Sequence, residues 1–253
     1  MSGHAEGHLI ESSLDRALSD LTSFTPLLIA SDYDGTLAPI VDDPALAVPD
    51  RRTLDGFLQL GSVEGVHVAI VSGRSIDALQ TFVGSQPDVI LVGNHGSSLR
   101  SDDQSETVNH LIEVLTRLSA EFPGTEVEAK PTGAAFHYRH ADDADAAEMA
   151  ARRLAGVAGA RVIEGKKVVE AVLGKGDKGS AVADLRTSTG AAAVLFIGDD
   201  ETDEAVFKTL DPHDIGIKVG GGDTAANHRV NDVRAVAEVF ETLVGYLRND
   251  PKV

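Results

Sequence analysis

Five short apolar runs constrain the fold of this chain more than any other feature: 26–31 (PLLIAS), 66–71 (VHVAIV), 88–92 (DVILV), 193–197 (AVLFI) and 214–219 (DIGIKV). Their length and β-branched content suit strands buried on both faces of a parallel sheet. Amphipathic helical patterns lie between or after them. One is Leu54, Phe57 and Leu58, and another is Ile76 and Leu79 with Ser75 as N-cap. A third runs through Val233, Val236, Ala237, Phe240, Leu243, Val244 and Leu247 at helical spacing. Strands and helices in alternation predict α/β architecture, a doubly wound, Rossmann-like parallel sheet covered on both faces.

The middle of the chain reads differently. A helix is expected over 106–122 and another over 142–157, with strands at 125–129, 134–139, 160–163 and 168–172. Strand pairs with interposed helices predict an α+β insert on an antiparallel sheet. The insert is placed at 101–173, the core at 24–100 and 174–253, and residues 1–23 form a helical N-terminal appendage with its helix at 9–21. Gly174, Gly176 and Gly179 make the second linker a hinge candidate, on which a cap can open for substrate and close against water.

Charge narrows the partners. Acidic residues outnumber basic ones 40 to 22, a formal charge of −18, which repels nucleic acid and anionic lipid. No run approaches the roughly 18–20 apolar residues of a membrane span. The chain has no cysteine, which removes disulfides, thiolate metal sites and cysteine nucleophiles. The first residues lack a basic segment followed by an apolar one, so no secretory signal is read and a cytoplasmic monomer is expected. A phosphorylated substrate would then need local cations against the acidic field.

Four polar clusters follow the apolar runs or precede a helix, where ligands collect in open α/β sheets. The first is Asp32-Tyr33-Asp34-Gly35-Thr36, directly after LLIAS. Carboxylates at i and i+2 beyond a strand can divide the work: one binds a metal and attacks phosphorus, the other handles a proton. Gly35 lets the chain turn sharply toward a phosphate. The second is Gly198-Asp199-Asp200-Glu201-Thr202-Asp203-Glu204. So many acids against a strand end with no nearby base call for a cation, and oxygen-only ligation points to Mg²⁺. The third is Ser72-Gly73-Arg74, a hydroxyl at a helix start that suits a phosphate oxygen. The fourth is Lys178, a point charge for a phosphate or a carboxylate nucleophile. Its GKGDKGSA segment lacks the Gly-Lys-Ser/Thr ending of a nucleotide-binding loop. Taken singly, each cluster also reads as a solvated turn, a helix cap or an acidic helix N-terminus.

In this order the four clusters resemble the haloacid dehalogenase superfamily of phosphatases. Further segments are similar to the trehalose-6-phosphate phosphatase family: Gly93-Asn94-His95-Gly96, Glu128 and Lys130 ahead of His137-Tyr138-Arg139, Glu164-Gly165-Lys166 leading to Val168-Val169-Glu170, and the GDDETDE segment. The similarity runs from about 26 to 235, with departures at Ala171-Val172, where the family often has Arg-Pro, and at Asp177, where it often has Asn. The resemblance implies an Mg²⁺-dependent hydrolysis of trehalose 6-phosphate. Asp32 is the implied nucleophile, and Asp34 the acid and base, with its pKa near working pH. Ser72 and Lys178 hold phosphoryl oxygens. The metal is held by Asp32, the Asp34 carbonyl and Asp199, with Asp200 and Asp203 orienting ligands behind them. Glu128, Lys130 and Glu170 reach the distal sugar, and Arg74, Asn94 and His95 line the junction of core and cap. The alternatives are a phosphatase for another sugar phosphate and a non-catalytic regulatory domain that keeps the fold.

Overall fold

The computed structural model describes residues 10–249 except 42, 85, 95, 97–101, 131–132, 159, 166 and 174–176. Its strands in chain order are β1 (Leu27–Ser31), β2 (Val66–Val71), β3 (Val89–Val92), β4 (Glu126–Lys130), β5 (Gly133–His137), β6 (Arg161–Gly165), β7 (Val168–Val172), β8 (Ala193–Gly198), β9 (Ile215–Val219) and β10 (His228–Val230). Its helices are α1 (Ser12–Leu21), α2 (Arg51–Gly61), α3 (Ile76–Val83), α4 (Asp102–Glu121), α5 (Ala144–Val157), α6 (Lys178–Thr189), α7 (Glu204–Phe207) and α8 (Val233–Asn249). The chain divides into two compact units, one of Met1–Gly96 with Asp177–Val253 and one of Ser97–Gly176.

The larger unit is built on a parallel sheet in the order β10-β9-β8-β1-β2-β3. Every residue of β1 is buried, yet the two-residue period still sorts them. Leu27 and Ile29 face α1, α2 and α8, where Leu18, Phe57 and Phe240 pack. Leu28 and Ala30 face α6, where Val182 and Leu185 pack with Phe207. Apolar side chains on both faces explain why these strands read as unbroken runs. β10 was absent from the sequence reading because three residues carry no periodic signal.

α1 departs from its expected place as an appendage. Leu14, Leu18 and Leu21 line one face of the helix and are buried in the main core with α8. Spacing of four and three residues puts all three on one stripe, and that stripe finds a partner. Gly179 also departs from expectation. It is not in a linker but in the first turn of α6, where an added Cβ would lie 2.6 Å from the Ala205 carbonyl oxygen. It is a packing glycine; Gly174 and Gly176 lie outside the described residues.

Asp177 caps α6 by accepting from the Ser180 N–H at 2.7 Å, the job an Asn would do. Nearby, Gly96 has φ of 101°, and an added Cβ would lie 2.9 Å from the Asp177 carbonyl oxygen. The chain therefore leaves the larger unit and returns to it at adjoining points.

The smaller unit is an antiparallel sheet in the order β4-β5-β7-β6. Ala134, Phe136, Val169 and Ala171 pack with Leu111 and Leu115 of α4 and Ala147 and Ala151 of α5. Ala171 and Val172 extend β7 in register with Ala134 and Gly133, a continuation that Arg-Pro would interrupt because proline has no N–H to donate. The alternate positions of β4, β5 and β7 carry Glu126, Glu128, Lys130, His137 and Glu170, with Glu128, Ala135 and Glu170 in one cross-strand row.

Candidate active site

Sheet order brings the site together. β1 lies between β8 and β2, so the residues leaving its carboxyl end meet those leaving both neighbours. Asp32 follows Ser31 with its N–H donating to the Ile197 carbonyl at 2.9 Å. Asp199 follows β8, and Ser72 follows β2. Asp32, Asp34, Arg74, Lys178, Asp199 and Thr202 line a cavity of about 560 Å³ within the larger unit.

Asp32 is 4% exposed. One carboxylate oxygen accepts from the Tyr33 N–H at 2.6 Å, and the other lies 2.7 Å from Lys178 Nζ. Lys178 opens α6 and is itself buried, and its ammonium donates to Asp203 Oδ1 at 2.8 Å. The second Asp203 oxygen accepts from the Asp200 N–H at 2.9 Å, and Asp200 Oδ1 accepts from the Glu201 N–H at 2.7 Å. A Cβ on Gly198 would lie 2.3 Å from the Asp203 carboxyl carbon, so only glycine lets that carboxylate reach under the strand end.

The electrostatics of this cluster are unbalanced. One oxygen from each of Asp32, Asp199 and Asp203 lies within 4.8 Å of the others; Lys178 reaches Asp32 and Asp203, and the Lys218 ammonium stands at the Asp199 backbone carbonyl. Three carboxylates beside two lysines leave a surplus of negative charge, with Asp32 and Asp203 buried and Asp199 partly so. Burial, with a further push from Asp203, raises Asp32 to about 7 although Lys178 opposes it. Burial and the neighbouring Asp203 and Asp200 raise Asp199 to about 6. Burial works against the charged form of Lys178, but Asp32 and Asp203 outweigh it and hold the ammonium above its ordinary value.

A divalent cation fits this arrangement, since it would offset the surplus negative charge and be held by hard oxygen donors. Gly35 supports the same reading: at φ 73° it leaves Asp199 a cradle that a Cβ would fill at 2.0 Å from Asp199 Oδ2. Asp32 and Asp199 belong both to this cluster and to the metal set expected from sequence. Asp203 adjoins them but has both oxygens engaged by Lys178 and Asp200.

Asp34 is turned elsewhere. Arg74 Nε donates to its Oδ2 at 2.7 Å and Arg74 Nη2 to its Oδ1 at 2.6 Å, a two-pronged ion pair. The guanidinium lies 5.1 Å from the Tyr33 ring centroid and 5.2 Å from that of Phe82. Ser72 is buried, and its hydroxyl accepts from the Arg74 N–H at 3.2 Å. Asn94 adopts φ 52° at the end of β3, and its N–H donates to the Arg74 carbonyl at 2.9 Å. His95 lies outside the described residues.

On the smaller unit, Lys130 pairs with Glu170 at 3.3 Å and His137 with Glu128 at 3.2 Å. Glu128 and His137 also line a cavity of about 450 Å³ with Glu126, Arg139, His140 and Lys167. The three expected sugar-binding residues, Glu128, Lys130 and Glu170, thus share one sheet face.

Lys218 was missed by the sequence reading. It is buried in β9, and its ammonium donates to the Asp199 backbone carbonyl, fixing the acidic loop. Its signal was present: a lysine inside the apolar run DIGIKV is out of place unless it has a partner.

The larger unit has the haloacid dehalogenase-like α/β fold, with paired aspartates after the first sheet strand, a lysine at a helix start and an acidic loop after a neighbouring strand. The trehalose-phosphatase family model matches residues 30–239, and the chain belongs to that family. It is 34% identical to a bifunctional trehalose-6-phosphate synthase/phosphatase of Thermoproteus tenax, an alignment covering 93% of this chain and 34% of that protein. It is 33% identical to a trehalose-phosphate phosphatase of Mycobacterium bovis, covering 87% of this chain and 62% of the relative. The chain thus spans between about one-third and three-fifths of the length of these relatives. Among solved structures, trehalose-6-phosphate phosphatase from Aspergillus fumigatus superimposes with a TM-score of 0.73 at 26% identity, over 91% of this chain and 97% of that one.

Proposed function

We propose that the chain is an Mg²⁺-dependent phosphatase that hydrolyses trehalose 6-phosphate to trehalose and phosphate. The observation that carries this reading is the buried network of Asp32, Lys178 and Asp203 beside Asp199. It lies within a chain whose family match spans most of its length. Asp32 attacks phosphorus, and the bond from phosphorus to the sugar oxygen breaks as Asp34 gives that oxygen its proton. Water then attacks the aspartyl-phosphate and passes a proton back to Asp34. The bond between phosphorus and Asp32 breaks, releasing phosphate and restoring both groups. Lys178 keeps Asp32 in place, and Ser72 holds a phosphoryl oxygen. Asp32, the Asp34 carbonyl and Asp199 would hold Mg²⁺, with Asp200 and Asp203 positioning them; when bound, the cation neutralises charge on the transferring group.

Sugar recognition falls to the smaller unit. Glu128, Lys130 and Glu170 offer acceptors and donors to the distal sugar hydroxyls, and Arg74 and Asn94 serve the phosphorylated end. Phosphate release across a panel of disaccharide and monosaccharide phosphates, with and without chelator, tests the reading. Trehalose 6-phosphate should give the highest kcat/KM, and chelation should abolish turnover. Faster release from a hexose phosphate would reassign the substrate. Release from none would leave a non-catalytic domain on a phosphatase fold.

A further inference from the structure

The mechanism above gives Asp34 a proton to donate, yet both of its oxygens are engaged by Arg74 at 2.6 and 2.7 Å. A carboxylate gripped on two sides by one guanidinium accepts at both oxygens and leaves neither free for another partner. To protonate a leaving oxygen it must first free at least one of those positions. The Arg74 side chain is 12% exposed, while that of Asp34 is 43% exposed. The arginine is anchored as well as partly buried: its backbone binds Ser72 and Asn94, and its guanidinium lies over Tyr33 and Phe82. Of the two partners, Asp34 is the one with room to move. Arg74 also lines the cavity that holds Asp32 and Lys178, so an anion entering there reaches the guanidinium.

We propose that Arg74 is a latch on Asp34, holding both carboxylate oxygens while the site is empty and giving them up when a phosphate monoester takes over the guanidinium. This rests on the phosphatase reading and adds a positioning role to a residue expected only to line the site. The exchange is chemically even, since one anion replaces another on the same fork of donors. It also ties the arming of the acid to arrival of substrate, because Asp34 becomes free only when a phosphate is present to be attacked.

The test is a thermodynamic cycle on the full chain, with inorganic phosphate as probe and Mg²⁺ present throughout. Titration calorimetry is run on the wild type, Asp34→Ala, Arg74→Gln and the double variant. With the latch, phosphate must displace Asp34 from Arg74 in the wild type, so Asp34→Ala should bind phosphate about tenfold tighter. In the Arg74→Gln background the same change should alter affinity by less than about threefold. An equal gain in both backgrounds is simple removal of a negative charge and overturns the proposal. If Arg74→Gln does not fold, Arg74→Lys replaces it, keeping the charge and losing the fork.

Turnover supplies the second readout. Arg74→Gln should raise KM about tenfold while kcat on the sugar phosphate changes less than about threefold, because Asp34 is still free to act. If instead Arg74→Gln lost turnover on the sugar phosphate but kept it on an aryl phosphate, whose leaving group needs no acid, Arg74 would be a clamp required during the reaction and the latch would be wrong. Absence of phosphate binding in all four proteins, with no phosphate release from any sugar phosphate, would sink the phosphatase reading and the latch together.

Discussion

Asp32, Lys178 and Asp203 at the end of the parallel sheet are almost completely enclosed, and each is held by two partners. On the antiparallel sheet, Lys130 and Glu170 are about one-third exposed and joined by one contact of 3.3 Å. The side chains are the same kinds of acid and base, but the commitment is different. Two buried carboxylates, with a third partly buried beside them, are unfavourable without further positive charge, the kind of arrangement that marks a functional site. An open sheet face with mixed charges costs little to maintain and can change its pairing as ligands arrive. The proposed reaction chemistry thus falls where the geometry is fixed, and the proposed recognition where it is adjustable.

That contrast breaks most directly at Asp32. Asp32→Asn should lower turnover by at least about 10⁴-fold, as loss of an attacking group does. The melting temperature of the metal-free protein should not fall, because a buried negative charge is removed. Substantial activity in that variant would remove the covalent scheme.

The next largest contrast lies between two lysines. Lys178→Met leaves Asp32 and Asp203 facing each other without a counter-ion and should destabilise the fold by about 3–5 kcal/mol. Lys130→Met breaks the exposed pair and should change stability by less than about 1 kcal/mol. Urea unfolding of both variants decides the point, and equal losses would show that enclosure is not what distinguishes the two sites.

Glu170→Gln sharpens the recognition side. It should raise KM for the sugar phosphate about five- to tenfold with kcat nearly unchanged, the signature of binding lost equally in ground and transition states. A fall in kcat alone would move Glu170 from recognition into chemistry.

The smallest effect is on stability against pH. Asp32 and Asp199 titrate near 7 and 6 in the folded metal-free chain, above the ordinary value of 3.8. Folded protein therefore binds more protons than unfolded protein between these limits, and stability falls as pH rises from about 4 to about 7. Melting temperatures in chelator should be lower by a few degrees at pH 8 than at pH 5.5. Mg²⁺ should restore more at pH 8, and Asp199→Asn should flatten the slope.

Much of this was legible in advance because it depends on position along strands. A parallel sheet carries the residues after each strand to one edge, so Asp32, Ser72 and Asp199 follow from three apolar runs. The cross-strand row of Glu128 and Glu170 has the same origin in register. What could not be read depends on side-chain direction and on partners remote in sequence. Arg74 and Asp34 are 40 residues apart, and their guanidinium–carboxylate pair lies over the rings of Tyr33 and Phe82. Lys218 finds a backbone carbonyl rather than a carboxylate. α1 looked detachable because nothing in its own sequence names α8 as the surface that covers Leu14 and Leu18.

Gly96 and Asp177 stand side by side where Ser97–Gly176 leaves and rejoins the larger unit. The segment is threaded through a single doorway, with no strand of the parallel sheet depending on what lies beyond it. A lineage can therefore trade one eighty-residue attachment for another while every strand behind the door stays untouched.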